Sequence, residues 1–404
     1  MKSIVFLCDG MADYPVEALG GKTPLDLSRH PNMDKIAQSG LFGLARTVPE
    51  GQKPGSDNAN LSVFGYDPLV YYTGRSPLEA VNMGIELAQE DVAYRCNTVT
   101  LSGSDNLEDC VMADYSAGEI TSEESRQLIE AMDKLFRTET CELYPGVSYR
   151  HCLVLRDADT GAQCTPPHDI SGKPVKDRLP KGVNSELLLD MMKRSYEVLK
   201  DHPVNQKRVA AGKNPANCLW FWGEGRKPAL TPFAEKFGVT KGGVISAVDL
   251  IRGIGRCAEL EVLPVDGVIT GTFETDFDAK TRAAIRAFEE GHQFVYLHME
   301  GPDECGHHGQ IAEKVTCIED IDRKVIGPVL EYLENCGEDY AVLVMPDHPT
   351  PLCLKTHVSD PVPFALFSSK YPMDNGDVVF NEHNARATGL FVPRGCDLME
   401  KLLG

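Results

Sequence analysis

Three short, almost wholly apolar runs in this chain each end in acid. Ile4–Cys8 runs into Asp9-Gly10, Phe294–Met299 into Glu300-Gly301-Pro302-Asp303, and Ala341–Met345 into Pro346-Asp347-His348. Runs of this length and composition read as buried strands, and Val244–Val248, Val362–Phe367 and Leu390–Val392 read the same way. Helix-like stretches lie between them, such as Asp278–Glu290 with Asp278 as its N-cap. Alternation of strand and helix predicts an α/β domain on a mostly parallel sheet.

Ligands of an open parallel sheet bind beyond the carboxyl ends of its strands. Three acid-bearing strand ends therefore predict a pocket of Asp and His at one edge. Hard divalent cations take carboxylate oxygen, and imidazole suits zinc, manganese and similar ions. Asp303 and His307, four apart, share a helix face, and His308 follows them. Asp347-His348, directly after five apolar residues, is costly to bury unless paired or metal-bound. His357, in a turn before Val362–Phe367, reaches the same edge. Singly, Asp9-Gly10 also reads as a turn and Asp303/His307 as a surface pair; together at one sheet edge they point to a metal centre.

Lys53-Pro54-Gly55-Ser56 forms a turn before an amphipathic stretch and puts Ser56 at a helix amino terminus, a position that favours phosphate. The same position suits a serine N-cap. A neighbouring metal turns the reading towards a nucleophile, because a coordinated hydroxyl loses its proton more easily.

From Asp91 to Phe237 the chain is richer in turns and polar runs, among them Leu101–Asn106, Thr165–Ile170 and Lys213–Ala216. It still carries a strand-like Cys152–Leu155 and a helix-like Ser185–Lys200. The chemical motifs lie on both sides of this segment and must meet. The expected organisation is a discontinuous catalytic domain, 1–90 with 238–404, and an inserted domain, 91–237. Length alone, 404 residues, fits two or three domains.

A formal net charge of -20 excludes an unaided attraction to nucleic acid or to an anionic membrane. It also repels a phosphorylated substrate unless metal ions or clustered Arg and Lys offset it. The 13 cysteines are scattered without a CxxC pair, which suits a reducing compartment. No apolar run approaches membrane-spanning length, and the one at the amino terminus is too short for a signal-peptide core, so a cytoplasmic protein is expected.

In this order, the motifs resemble those of the cofactor-independent (2,3-bisphosphoglycerate-independent) phosphoglycerate mutases, in their shorter archaeal-type branch within the alkaline phosphatase superfamily. The matching segments run from end to end: Leu7–Asp13, Gly21–Leu25, Pro31–Asp34, Pro54–Asp57 with Gly65–Pro68, Pro302-Asp303 with Gly306-His307, Met345–His348, and Thr356-His357 with Pro361–Phe364. The resemblance implies an alkaline-phosphatase-like three-layer α/β/α domain with a smaller α+β substrate domain inserted. It implies two divalent ions (Mn, Mg, Co or Zn), one held by Asp303, His307 and His357, the other by Asp9, Ser56, Asp347 and His348. His308 stands where relatives usually carry another residue. Ser56 would take the phosphoryl group of a phosphoglycerate and return it to the other hydroxyl, interconverting 3- and 2-phosphoglycerate in a pocket that excludes water.

By the same resemblance, Lys241 contacts the phosphate and Arg226 lies near the substrate. Arg95, Arg150, His168 and Asp169 are further candidates, Asp169 as a proton shuttle. Trp220 and Trp222 read as packing. The expected partner is a small phosphorylated substrate, with neither nucleic acid nor membrane, and the oligomeric state stays open. A homoserine kinase-like phosphotransferase or a metal-dependent phosphomonoesterase would share the metals and the serine. The chain lacks a GxxxxGK[ST] loop, which favours the mutase over a kinase. Every ligand position is filled, which counts against a non-enzymatic metal-stabilised binding protein.

Overall fold

The computed structural model describes residues 1–404. The chain divides into two compact units, Met1–Tyr72 with Leu230–Gly404, and Thr73–Ala229. The second is thus inserted in the first, with its ends at 73 and 229 rather than at 91 and 237. The shift has a packing cause. Helix Ser76–Asn82 lies on strands Val92–Ser102 and Cys218–Arg226 of the inserted unit. At the other end, Phe233 stacks on Phe294 of the first unit, with ring centroids 4.8 Å apart.

The first unit holds an eight-stranded sheet in the order Glu261–Val262, Gly242–Ile245, Phe294–Met299, Lys2–Cys8, Tyr340–Met345, Val362–Ser368, Leu41–Ala45, Phe391–Val392. Only Val362–Ser368 runs against its neighbours. The central strands are buried along their length, which is why they read as unbroken apolar runs rather than alternating ones. Ile4, Phe6, Val295, Leu297, Val342 and Val344 belong to one core with side chains of helices Pro31–Ser39, Phe277–Glu289 and Gly327–Asn335. Of the alternate residues, Tyr296 stacks on Phe64 at 3.8 Å, next to helix Ser56–Val63.

Helix Phe277–Glu289 is capped by Asp276, whose carboxylate accepts the Ala279 N–H, and not by Asp278. The strand expected over Val244–Val248 ends at Ile245, because the Ser246 hydroxyl turns back to accept the Val248 N–H.

The inserted unit is α+β. Its sheet is antiparallel throughout, ordered Val111–Asp114, Val92–Ser102, Arg150–Leu155, Cys141–Tyr144, with Cys218–Arg226 also paired to Val92–Ser102. Helices Ser122–Phe136 and Ser185–Leu199 contribute to its core, and Trp220 is buried there. No helix of the protein is long and apolar enough to cross a membrane.

Candidate metal and phosphoryl-transfer site

The carboxyl ends of the parallel strands bring the acids together. Asp9 follows Lys2–Cys8, and its successor Gly10 has φ +62°. A Cβ on Gly10 would meet the Asp303 Cα and the Thr350 hydroxyl at 2.6 Å, so glycine lets two acid-bearing segments touch. Asp303 and His307 lie on helix Gly301–His308, which starts just past strand Phe294–Met299. Asp347 and His348 follow Tyr340–Met345.

Two groups of atoms able to ligate a cation result: Asp303, His307 and His357, and Asp9, Asp347 and His348, the atoms of each lying within 4.8 Å of one another. The groups adjoin, with the His348 and His357 rings 4.0 Å apart between centroids. Ser56, the first residue of helix Ser56–Val63, places Oγ 3.2 Å from His348 Nε2. Gly55, not Ser56, occupies the cap position, and it makes no side-chain cap bond.

These donors suit a cation. Asp9 Oδ1 is buried without a hydrogen-bond partner. His307 Nε2 and His357 Nε2 face each other at 2.8 Å, and both lie 3.3 Å from Asp303 oxygens. The His307 Nδ1–H donates to the Lys355 carbonyl at 3.1 Å, which leaves Nε2 as the nitrogen that faces the site and loses its proton when a cation binds. His348 is set likewise. The Thr350 hydroxyl donates to Asp303 Oδ1, so at 3.3 Å from His348 Nδ1 it accepts, and His348 Nε2, facing Ser56 Oγ, is the acceptor nitrogen.

Burial, with the neighbouring Asp347 and Asp303 carboxylates, pushes the Asp9 carboxyl well above its ordinary value. Concentrated like charge of this kind is relieved by a bound cation. Burial alone would raise Asp303, but hydrogen bonds from His307 and His357 hold it well below the usual carboxylate range. Burial lowers His348 and takes His298 to about 3, so both rings are neutral at physiological pH.

Three supporting residues carry no signal in the local sequence. Asn60 Nδ2 donates at 2.8 Å to Asp347 Oδ2 and to the Ser56 carbonyl, and the Tyr296 hydroxyl donates to Asn60 Oδ1 at 2.7 Å. His298 Nε2 lies 2.9 Å from Asp9 Oδ2. Tyr296 and His298 are two apart on one strand and hence on one face of the sheet. A pattern search finds none of these, since each depends on a partner far away in the chain.

His308 turns away: its Nδ1 sits 3.0 Å from the Glu304 carbonyl, and its side chain is mostly exposed. Lys241 is not brought to the site. It precedes strand Gly242–Ile245 beside Gln293, at the amino end of the sheet, and its ammonium donates to the Glu290 carbonyl at 2.7 Å. Asp303 and the other candidate ligands lie beyond the other end of the adjacent strand, ~17 Å along it. Cations that do reach the carboxyl edge include Arg252, donating to the Ser246 carbonyl at 2.6 Å, buried Lys280, donating to the His298 carbonyl at 3.0 Å, and buried Lys314, donating to the Thr350 carbonyl at 2.9 Å.

In the inserted unit, Arg95 and Arg150 gather with Arg75 and His168. Glu79 lies among them, 2.8 Å from Arg75 Nε and 3.0 Å from Arg95 Nε. Burial would raise the Glu79 carboxyl, but Arg95, Arg75 and Arg150 hold it below its ordinary value. The Arg95 guanidinium lies 4.2 Å over the Trp222 ring, and His168 meets the same ring edge-on at 5.2 Å. Arg75 was not foreseen. Asp169 is exposed beside His168, 3.6 Å away. Arg226 stands apart: it aligns with Val92, three residues from Arg95, and pairs with Glu90 at 2.7 Å.

Comparison with known proteins is consistent along the whole chain. The family model for 2,3-bisphosphoglycerate-independent phosphoglycerate mutase matches residues 37–205. A probable 2,3-bisphosphoglycerate-independent phosphoglycerate mutase of Geobacter sulfurreducens is 51% identical over 403 residues, covering 100% of both chains. The mutase of Methanothrix thermoacetophila is 50% identical with the same coverage. Among solved structures, a Pyrococcus horikoshii protein aligns with TM-score 0.81 at 30% identity, over 100% of this chain and 96% of that one. The cofactor-independent phosphoglycerate mutase of Thermoplasma acidophilum aligns over 100% of both chains with TM-score 0.68 at 26% identity.

Proposed function

The chain belongs to the 2,3-bisphosphoglycerate-independent phosphoglycerate mutases, and from that premise we infer that it is an isomerase interconverting 3- and 2-phosphoglycerate through a phosphoserine at Ser56. One observation carries the mechanism: the Ser56 hydroxyl stands at a helix amino terminus, 3.2 Å from His348 and beside two groups of metal-ligating atoms.

Asp303, His307 and His357 would hold one divalent ion, and Asp9, Asp347, His348 and Ser56 the other. Manganese, magnesium, cobalt or zinc bound there would supply Lewis-acid neutralisation of the phosphoryl oxygens and the serine oxygen. Ser56 Oγ attacks the phosphorus, the P–O bond to glycerate breaks, and the glycerate oxygen takes up a proton as the serine loses one. The reverse transfer to the other glycerate hydroxyl gives the isomer. The phosphoryl group returns to the same carbon skeleton, so no nucleotide enters the balance.

A phosphoglycerate also carries a carboxylate. Arg75, Arg95 and Arg150, with Glu79 the carboxylate among them, leave the inserted unit a net positive cluster suited to it. Arg95 keeps its charge at neutral pH even though burial lowers it to about 10. Asp169, exposed next to His168, remains available as a proton shuttle.

The test is an enolase-coupled assay with 3-phosphoglycerate and metal, omitting nucleotide and bisphosphoglycerate. We expect 2-phosphoglycerate to form. No 2-phosphoglycerate, with ADP released from ATP plus homoserine, would replace the mutase by a kinase on the same serine and metal groups.

A further inference from the structure

We propose that His298 is a positioning residue that fixes the Asp9 carboxylate, binding Oδ2 so that Oδ1 alone faces the metal. The proposal rests on the two-ion reading given above.

His298 sits in strand Phe294–Met299, opposite Leu7 of the neighbouring strand, and is fully buried. Its Nε2 lies 2.9 Å from Asp9 Oδ2. An Asp that ligates a metal is ionised and can only accept hydrogen bonds. Nε2 must therefore carry the ring proton. The other nitrogen, Nδ1, is then an acceptor, and it lies 3.1 Å from the Ser246 hydroxyl. That hydroxyl already accepts the Val248 N–H at 2.9 Å, and its own proton is free to point at Nδ1. Arg252 Nε holds the Ser246 carbonyl at 2.6 Å, which anchors the turn. The chain Val248 N–H, Ser246 O–H, His298 Nε2–H, Asp9 thus has one consistent direction.

The outcome at Asp9 is asymmetric. Oδ2 is engaged, while Oδ1 is buried, has no hydrogen-bond partner, and lies 3.7 Å from His348 Nε2. His307 and His348 are turned the other way, with Nδ1 towards the Lys355 carbonyl and the Thr350 hydroxyl and Nε2 towards Asp303 and Ser56. His298 stands at the same site with its proton on Nε2, so it serves the ligand rather than the ion. Partners of this kind typically change metal affinity 10–100-fold when removed.

The experiment titrates Mn²⁺ into the metal-stripped full-length chain, followed by electron paramagnetic resonance, for the wild type, His298→Gln, His298→Asn and Ser246→Ala. The amide nitrogen of Gln falls near the position of Nε2, and that of Asn near Nδ1. We expect His298→Asn to weaken one of two Mn²⁺ sites by about 10–100-fold while the other is unchanged. His298→Gln should recover most of that loss. Equal losses in both variants, or wild-type affinity in His298→Asn, would overturn the positioning role. If His298→Asn does not fold, as judged by circular dichroism, Ser246→Ala decides: it should weaken the same site several-fold, and unchanged affinity overturns the proposal. A wild type that takes up a single ion overturns the two-ion reading itself, a result distinct from any difference among the variants.

Discussion

His307 and His308 are neighbours in sequence and part company on the helix. His307 faces Asp303 and His357, whereas His308 lies over Glu304 and is mostly exposed. His307→Ala should cut bound metal and turnover on the order of 100-fold or more, beyond what loss of an outer partner costs. His308→Ala should stay within about twofold of the wild type, as an exposed substitution of little energetic weight. Metal analysis with the enolase-coupled rate checks both, and the reverse ranking would shift the ligand register by one residue. His307 also sets a pH dependence. Its hydrogen bond to Asp303 outweighs burial and raises the imidazole to about 8. The metal-free protein therefore carries a proton there at neutral pH, and an incoming ion must displace it. Mn²⁺ affinity should rise with pH and level off above about 8, falling up to ~10-fold per unit below it. The raised Asp9 carboxyl acts in the same direction. Titrations between about pH 6 and pH 9 that give one constant affinity would contradict this.

At the scale of elements, strand Phe294–Met299 does more than fill the sheet. Tyr296 orients Asp347 through Asn60, and two residues on His298 reaches Asp9. Tyr296→Phe leaves Asn60 Oδ1 buried without its donor and should cost ~1–3 kcal/mol in urea unfolding. An unchanged midpoint would mean the hydrogen bond contributes nothing net. The corrected cap is testable in the same way: Asp276→Ala should lose about 1 kcal/mol and Asp278→Ala distinctly less. Both elements show what was legible in the sequence. Buried parallel strands announce themselves as apolar runs, and acids within four residues of the ends of three such runs are legible as a set, as Asp9, Asp303 and Asp347 are. His298 and Tyr296 lie inside an apolar run, where a polar side chain gives no hint of its partner. Lys241 failed for another reason. Residues flanking a strand look alike in sequence at either end, and only the register against Phe294 puts Lys241 at the amino edge. Arg75 and Arg95 lie 20 positions apart and meet only because helix Ser76–Asn82 folds onto strand Val92–Ser102.

The molecule as a whole carries a formal charge of -20, and part of the self-repulsion is concentrated in the buried carboxylates of Asp9, Asp303 and Asp347. Binding cations there couples metal to stability. At free Mn²⁺ 100 times the dissociation constant, each site should add ~2.7 kcal/mol to the unfolding free energy. Calorimetry should place that gain in the unit formed by 1–72 and 230–404, which contains every ligand, and chelation should remove it. An unfolding profile indifferent to Mn²⁺ and chelator would leave the ligand groups without a cation to hold. The central claim is narrower still: the phosphoryl group passes through Ser56. Wild-type enzyme with metal and 3-phosphoglycerate, quenched in acid during turnover and digested, should yield a peptide phosphorylated on Ser56 by mass spectrometry, and Ser56→Ala should yield neither that peptide nor 2-phosphoglycerate. Sustained turnover with no phosphate on Ser56, and a Ser56→Ala variant that keeps most of its rate, would contradict the account.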